Sequence, residues 1–205
     1  DPVGSGLVRS MRSSGNNLTG VTPANDVVSS KRLEFFLEAA PGIKRVIFPW
    51  GDPNTSGVEG IRAMMSVVDV QLVEHRVANS AEIEQFIRAF EFKKGDGLFR
   101  ATDPHSAEKV TLMIQIALEK KIPFAGTNMS DVQRGALMSY GANYFKIGNQ
   151  TAILAKKIFQ GANPSDLPIE LPEQFELVVN RKTARLLGIE LPIRFLAKVD
   201  RIIDE

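Results

Sequence analysis

Residues 44–57, which read KRVIFPWGDPNTSG, decide the fold. A short β-branched and aromatic run, 46–48, stops at Pro49, and a turn-rich loop then leads into the apolar positions of the next segment. This pattern is typical of a buried parallel strand that feeds a helix through a loop at its carboxyl end. Ligands of open α/β sheets bind at such ends, so the sequence predicts a small-molecule site here. The loop would supply an aromatic face and hydrogen-bonding groups: Trp50, Asp52, Asn54, Thr55 and Ser56.

Strands and helices alternate along the rest of the chain. Further strands are predicted at 70–77, 97–99, 122–125 and 135–140, with short extended runs at 167–171 and 175–179. Helices are predicted at 26–40, 56–68, 80–92, 103–121, 143–160, 183–187 and 195–203. Buried strands that alternate with helices indicate a parallel sheet covered on both faces, so the fold class is α/β, a three-layer αβα sandwich.

Three helices carry more specific expectations. Asp103 followed by Pro104 predicts a helix start, because Asp is a favoured N-cap and Pro is favoured at the first helical position. Ser80 is the predicted N-cap of the helix that follows it. The helix at 143–160 is predicted to turn Leu154 and Phe159 inward.

Composition excludes several classes of partner and site. Hydrophobic residues make up 43% and charged residues 24%, which is ordinary for a globular protein with a core. Net charge is +1 and no segment concentrates basic residues, so we expect no nucleic-acid partner. Cysteine is absent, which rules out disulfides and thiolate metal sites within this sequence. No apolar run approaches the ~20 residues of a membrane span.

Enzyme and metal motifs are missing from the sequence. There is no complete GxGxxG, no phosphate loop, no HExxH and no GxSxG nucleophile elbow. The segment from Asp52 resembles the start of a calcium loop, but Ala63 stands where the bidentate glutamate is needed. His75 and His105 are interpreted as structural or solvent-facing. We therefore predict no catalytic residues, no metal and no cofactor.

Polar loops follow three successive predicted strands: 50–56, 102–103 and 127–128. Helix N-termini with small polar caps suit a carboxylate, and acidic residues beside them suit an ammonium group. Together they describe a zwitterion such as an amino acid, although spacing alone does not choose it. Taken singly, Asp103 and Thr55 are better explained as helix caps than as ligand contacts. Trp50 is explained equally well by packing as a half-buried residue and by stacking on a ligand.

Seven motifs occur in an order that resembles one known family. They are NNLTGV (16–21), KRLE (31–34), PGIKRV (41–46), DPNT (52–55), ALMSYG (136–141), GANPSDLP (161–168) and FELVVNxKTAxxLG (175–188). Together they resemble the ABC-transporter substrate-binding proteins of the tryptophan/tyrosine/phenylalanine-binding type. The last motif is the most specific, and the resemblance covers essentially the whole chain.

The resemblance implies the periplasmic-binding-protein type I fold, in which two α/β lobes hold a ligand in the cleft between them. Residues 1–20 would be a remnant of the N-terminal lobe and a crossover, and 21–141 the C-terminal ligand-binding lobe. Residues 142–205 would form a crossover helix, short strands and terminal helices that return toward the N-terminal lobe. The chain opens at Asp1 without methionine, and we expect most of the N-terminal lobe and the signal sequence to be absent from it.

The resemblance also implies site residues. Asn54 and Thr55 match the first cleft loop, Thr102 and Asp103 the second, and Asn128 is placed in the third by position. Two departures are notable: Trp50 follows Phe48 and Pro49 where the family has a Tyr-Asn type ending, and His105 replaces a smaller residue. The ligand can therefore differ from an aromatic amino acid. The predicted ligand-binding set is Trp50, Asp52, Asn54, Thr55, Thr102, Asp103 and Asn128.

The resemblance implies the extracytoplasmic solute-binding component of an ABC transporter, periplasmic or anchored outside the membrane, whose partners are a small ligand and a membrane permease. The surface meant for the missing lobe is a candidate for homodimer formation. A ligand-binding sensory module with the same fold is the alternative, and an attached kinase or cyclase domain would favour it. The missing motifs make an enzyme the weakest hypothesis.

Overall fold

The computed structural model describes residues 2–51 and 55–204, apart from the side chain of Asp26. It is an α/β structure with a seven-stranded sheet of order β3-β2-β4-β5-β6-β8-β9 and a two-stranded sheet, β1-β7. The strands are β1 (Gly20–Val21), β2 (Arg45–Trp50), β3 (Gln71–Arg76), β4 (Asp96–Phe99), β5 (Phe124–Gly126), β6 (Met138–Ala142), β7 (Ile169–Glu170), β8 (Phe175–Asn180) and β9 (Arg201–Ile203). The helices are α1 (Asn25–Ala39), α2 (Val58–Met65), α3 (Ser80–Ala89), α4 (Pro104–Glu119), α5 (Met129–Gln133), α6 (Tyr144–Phe159), α7 (Arg181–Leu187) and α8 (Ile193–Leu196).

The seven-stranded sheet is covered on both faces, as the sequence predicts. Along β2, Val46 and Phe48 point into one hydrophobic cluster, which also contains Phe36 of α1. Ile47 points into the other cluster, together with Ile83 of α3 and Met113 of α4. Strand β2 pairs in parallel with both β3 and β4, and β4 with β5. This is the three-layer αβα sandwich that the sequence predicts.

The chain divides into two compact units. The first contains Asp1–Asn25 and Ala142–Phe175, and the second contains Asp26–Gly141 and Glu176–Glu205. The predicted division at 141/142, with 142–205 returning toward an N-terminal lobe, stays a prediction, but residues 176–204 group with the second unit. Strands β8 and β9 are members of the seven-stranded sheet, and Leu177, Val178 and Val179 are buried there between flanking layers.

Several element boundaries differ from the predictions because neighbouring strands and caps decide them. Strand β2 continues through Pro49 to Trp50, since its pairing with β4 ends at Ile47 and the later residues pair only with β3. Proline is tolerated where no partner needs its N–H. The predicted helix at 195–203 is instead the end of α8 followed by β9, which pairs with β8.

The caps of α3 and α4 illustrate one wrong and one correct prediction. Asn79, not Ser80, caps α3, and its side-chain oxygen accepts from the backbone N–H of Glu82 at 3.1 Å. Asp103 caps α4, with Pro104 at the first helical position, as predicted. In α6, Leu154 is buried as predicted, but Phe159 is 90% exposed, so its predicted inward orientation is wrong.

Candidate functional site

The ends of β2, β4 and β5 place three loops along one edge of the sheet. These strands are neighbours and run in parallel, so their carboxyl ends share that edge. Trp50 ends β2, Thr102 and Asp103 follow β4, and Asn128 follows β5. Of the predicted site residues, Asp52 and Asn54 lie outside the described part of the chain, which begins again at Thr55.

Asp103 is the most unusual carboxylate at this edge. The residue is 6% exposed. Its Oδ1 accepts from the backbone N–H of Ser106 at 2.7 Å, which is the cap of α4. Its Oδ2 is buried and has no hydrogen-bond partner among the described residues. Because a buried polar atom without a partner costs free energy, capping explains one oxygen and leaves the other for a donor.

Thr102 lies beside a buried arginine that the sequence analysis missed. Arg32 of α1 is 1% exposed, and its Nη2 donates to the Arg100 carbonyl at 3.2 Å and to Thr102 Oγ1 at 3.3 Å. Its guanidinium carbon lies 4.9 Å from the centre of the Phe99 ring. A signal for this burial was available, because Arg32 is four residues from both Val28 and Phe36 on the helix face that packs inward.

The third loop is held by an ion pair. Arg100 Nη1 donates to Asp131 Oδ2 at 2.6 Å, and both side chains are buried. The same Asp131 oxygen accepts from the backbone N–H and the hydroxyl of Thr127, at 2.8 and 3.3 Å. Asn128 caps α5 by accepting from the Asp131 N–H at 3.2 Å. The sequence analysis missed Arg100 and Asp131, which lie far apart in the chain and outside any motif.

Trp50 is half-buried and is held by charged neighbours. Its indole N–H donates to Glu74 at 3.1 Å, and the guanidinium carbons of Arg62 and Arg76 lie 5.5 and 5.4 Å from its ring. Arg62 also binds both oxygens of Glu74, at 2.9 and 2.7 Å. Hydrogen bonding from Arg62 holds the pKa of Glu74 below its ordinary value, and the Arg62 charge and the Trp50 N–H add to this effect against partial burial. These are packing contacts of Trp50, and its stacking on a ligand stays a prediction.

A cavity of about 330 Å³ lies next to Trp50. Its walls include Thr55, Val58 and Arg62, so two predicted site residues face the same space. A second cavity of about 330 Å³ lies between 40–43, 94–96, 121–123 and 187–190, at the amino ends of β4 and β5 and so at the opposite edge of the sheet.

The described residues contain neither a metal-binding cluster nor a membrane-spanning helix. No group of three or more His, Asp or Glu side chains is placed to hold a metal ion within 2–51 and 55–204. Over the same residues, no helix has the length and apolar character needed to cross a membrane.

The family model described as "ABC transporter substrate binding protein" matches residues 1–203. This chain belongs to that family. The chain is 27% identical over 193 residues to a protein named "Tyrosine-binding protein" from Clostridioides difficile. The match covers 93% of this chain and 55% of that relative, so the chain spans about half the relative's length.

Solved structures of two bacterial proteins share the fold of this chain. A conserved domain protein from Vibrio cholerae is 29% identical, with a TM-score of 0.86 over 98% of this chain and 68% of that one. A Streptococcus pneumoniae protein, described as an ABC domain in complex with L-Trp, also has a TM-score of 0.86. It is 22% identical and is matched over 99% of this chain and 70% of its own.

Proposed function

We propose that this chain forms part of an extracytoplasmic solute receptor that binds an amino-acid-like ligand at the carboxyl edge of the seven-stranded sheet and delivers it to an ABC permease. The observation that carries the proposal is Asp103 Oδ2, a buried carboxylate oxygen without a partner among the described residues. The relative named as a tyrosine-binding protein supports an amino acid as the ligand class.

An ammonium group fits Asp103 better than a neutral donor does. A buried carboxylate favours a charged, hydrogen-bonded partner, because the charge is costly to leave unpaired. Oδ1 is already fixed by the cap of α4, so Oδ2 is held in place before the ligand arrives. Such preorganisation lowers the free-energy cost of ordering the site on binding.

The remaining predicted residues complete the proposed site. Trp50 and Thr55 would contact the ligand side chain from the cavity that they line, with Asp52 and Asn54 contributed by the same loop. Asn128 would contribute from the third loop. The receptor would need no cofactor or metal, would perform no catalysis, and would have no nucleic-acid partner, since its net charge is only +1. A homodimer remains a proposal without a described interface.

Calorimetric titration of the full-length protein with L-tyrosine, L-tryptophan and L-phenylalanine tests this function. Asp103→Asn keeps a capping oxygen and removes the charge, so we expect the affinity for the bound amino acid to fall by about 1–3 kcal/mol. Asp69→Asn makes the same charge change at an exposed position before β3 and should leave affinity unchanged. Equal affinities of wild type and Asp103→Asn, with intact folding, would exclude Asp103 from the site.

The sensory alternative would use the same site. A kinase or cyclase domain within the full-length protein would favour it over transport. Uptake of labelled amino acid that depends on the receptor and on an ABC permease would favour the transport receptor.

A further inference from the structure

Arg32 determines the hydrogen-bonding state of Thr102. A guanidinium can only donate, so in the 3.3 Å contact between Arg32 Nη2 and Thr102 Oγ1 the hydroxyl oxygen must be the acceptor. The hydroxyl proton of Thr102 must then point elsewhere. No acceptor for that proton is present among residues 2–51 and 55–204, and Thr102 is half-buried at the carboxyl edge of the sheet.

Thr127, in the neighbouring loop, shows the opposite arrangement. Its hydroxyl accepts from Arg100 Nη1 at 2.9 Å and lies 3.3 Å from Asp131 Oδ2, to which it donates. The proton of Thr127 is therefore used within the protein. Two threonines on adjacent loops both accept from a buried arginine, but only Thr102 has a proton left to donate.

We propose that Arg32 is a positioning residue that fixes Thr102 as a hydrogen-bond donor to the carboxylate of the ligand. The inference rests on the proposed function and deepens it, because it assigns the two ends of an amino acid to adjacent residues: the ammonium to Asp103 and the carboxylate to Thr102. Arg32 acts through Thr102 and does not touch the ligand.

Three physical features support this role. Accepting from a cationic donor polarises the Thr102 hydroxyl and strengthens its own donation. Arg32 is held rigidly, because the same Nη2 also donates to the Arg100 carbonyl and the guanidinium lies against Phe99. Arginine cannot lose its charge at any physiological pH, so the polarity of the contact is permanent.

A double-mutant cycle in the full-length protein tests the inference. The probes are L-tyrosine and tyramine, which lacks the carboxylate, and calorimetry measures their affinities for wild type, Thr102→Val, Arg32→Met and the double variant. We expect Thr102→Val to weaken L-tyrosine by about tenfold, the size of one hydrogen bond to a charged group, and to leave tyramine unchanged. Arg32→Met should weaken the binding of L-tyrosine by less than Thr102→Val does. The double variant should have the same affinity as Thr102→Val, because both substitutions act on the same hydrogen bond to the ligand.

Conservative variants separate positioning from general damage. Thr102→Ser keeps the hydroxyl and should retain most of the affinity for L-tyrosine. Arg32→Lys keeps a charged donor and replaces Arg32→Met in the cycle if Arg32→Met does not fold. Combined with Thr102→Val, it should lose no more affinity for L-tyrosine than Thr102→Val loses alone. Arg45→Met, which breaks the Arg45–Asp96 pair at the opposite edge of the sheet, is the control for lost stability alone and should not alter the ratio of the two affinities.

Each other result has a defined meaning. Additive losses in the cycle, or equal losses for L-tyrosine and tyramine, would overturn the role of Arg32 and Thr102 while leaving the amino-acid receptor intact. If tyramine binds too weakly to measure, the cycle with L-tyrosine decides alone. Wild-type protein that binds none of L-tyrosine, L-tryptophan and L-phenylalanine would overturn the proposed ligand class, and this inference with it.

Discussion

Two buried arginines, Arg32 and Arg100, lie beneath the loops that follow β4 and β5. A guanidinium keeps its charge when buried, so its partners must be fixed in the folded protein. Arg100 pairs with Asp131, whereas Arg32 donates to a carbonyl and to the Thr102 hydroxyl beside the Phe99 ring. Loops that rest on such fixed charges can present donors and acceptors to a ligand with little rearrangement.

Removing Asp131 should destabilise the protein strongly. Asp131→Ala would leave Arg100 as a buried charge and would take the acceptor from the Thr127 N–H, so we expect a loss of about 3–5 kcal/mol in the free energy of unfolding. Urea denaturation followed by circular dichroism measures the loss. The control is Arg100→Met with Asp131→Leu, which removes both charges and should lose less than the single change. A single variant as stable as the double would contradict this account.

The sequence identifies some of these residues and not others, for a physical reason. Asp103 could be singled out because Asp followed by Pro is a local capping signal, and capping is decided within one turn. Arg100 and Asp131 could not, because their partners come from distant parts of the chain. For Arg32, the helix face indicates burial but does not indicate its partners, the Arg100 carbonyl and Thr102. Charged residues in helices are usually solvated, and only the tertiary structure shows which of them are buried.

At the scale of elements, β2, α2 and β3 form a corner around one acidic residue. Glu74 of β3 accepts from the Trp50 indole at the end of β2 and from Arg62 of α2. The contacts fix the strand end from which the proposed ligand loop leaves. Trp50 is thus part of this corner as well as a wall of the cavity beside it.

Glu74→Gln should lower stability near neutral pH and make stability less sensitive to acid. The pKa of Glu74 is depressed in the folded protein, chiefly by hydrogen bonds from Arg62, so the folded state binds fewer protons here than the unfolded chain. Its stabilisation is fully present above the ordinary pKa of 4.5 and is lost as the pH falls through the folded pKa. Glutamine keeps an acceptor for the Trp50 N–H and removes the charge.

Chemical denaturation at about pH 7 and about pH 3 checks this expectation. Wild type and Glu74→Gln should differ at the higher pH and converge at the lower one. A difference that is undiminished in acid would show that the carboxylate charge is not the source of the stabilisation.

Element types were easier to predict than element ends. The β-branched runs of β2, β4 and β5 and the apolar stripes of α3 and α4 identify those elements from local pattern alone. The continuation of β2 past Pro49 and the strand β9 depend instead on which neighbour pairs where, which no local pattern contains. Phe159 of α6 has helical spacing with Leu154 yet is exposed, because only one side of that helix is covered within the described residues.

At the scale of the whole molecule, the two compact units differ in how much core each contains. The second unit holds both hydrophobic clusters of the seven-stranded sheet. The first unit has two strands of two residues each and a helix, α6, that buries Gln150 and Leu154 while Phe145 and Phe159 stay exposed. A two-stranded sheet of this size has little stability of its own.

Hydrogen exchange of the 205-residue chain should therefore show two levels of protection. Amides of β2, β4 and β5 should exchange only on opening of the large core, whereas those of α6 and β7 should exchange at least about tenfold faster after correction for intrinsic rates, through local opening. Gln150, which donates to the Leu171 carbonyl and accepts from the Glu173 N–H, ties α6 to the segment after β7. Gln150→Ala should speed exchange in α6 and β7 and leave β2 unchanged. Equal protection of α6 and β2 in the unmodified chain would show that the two units unfold as one cooperative body.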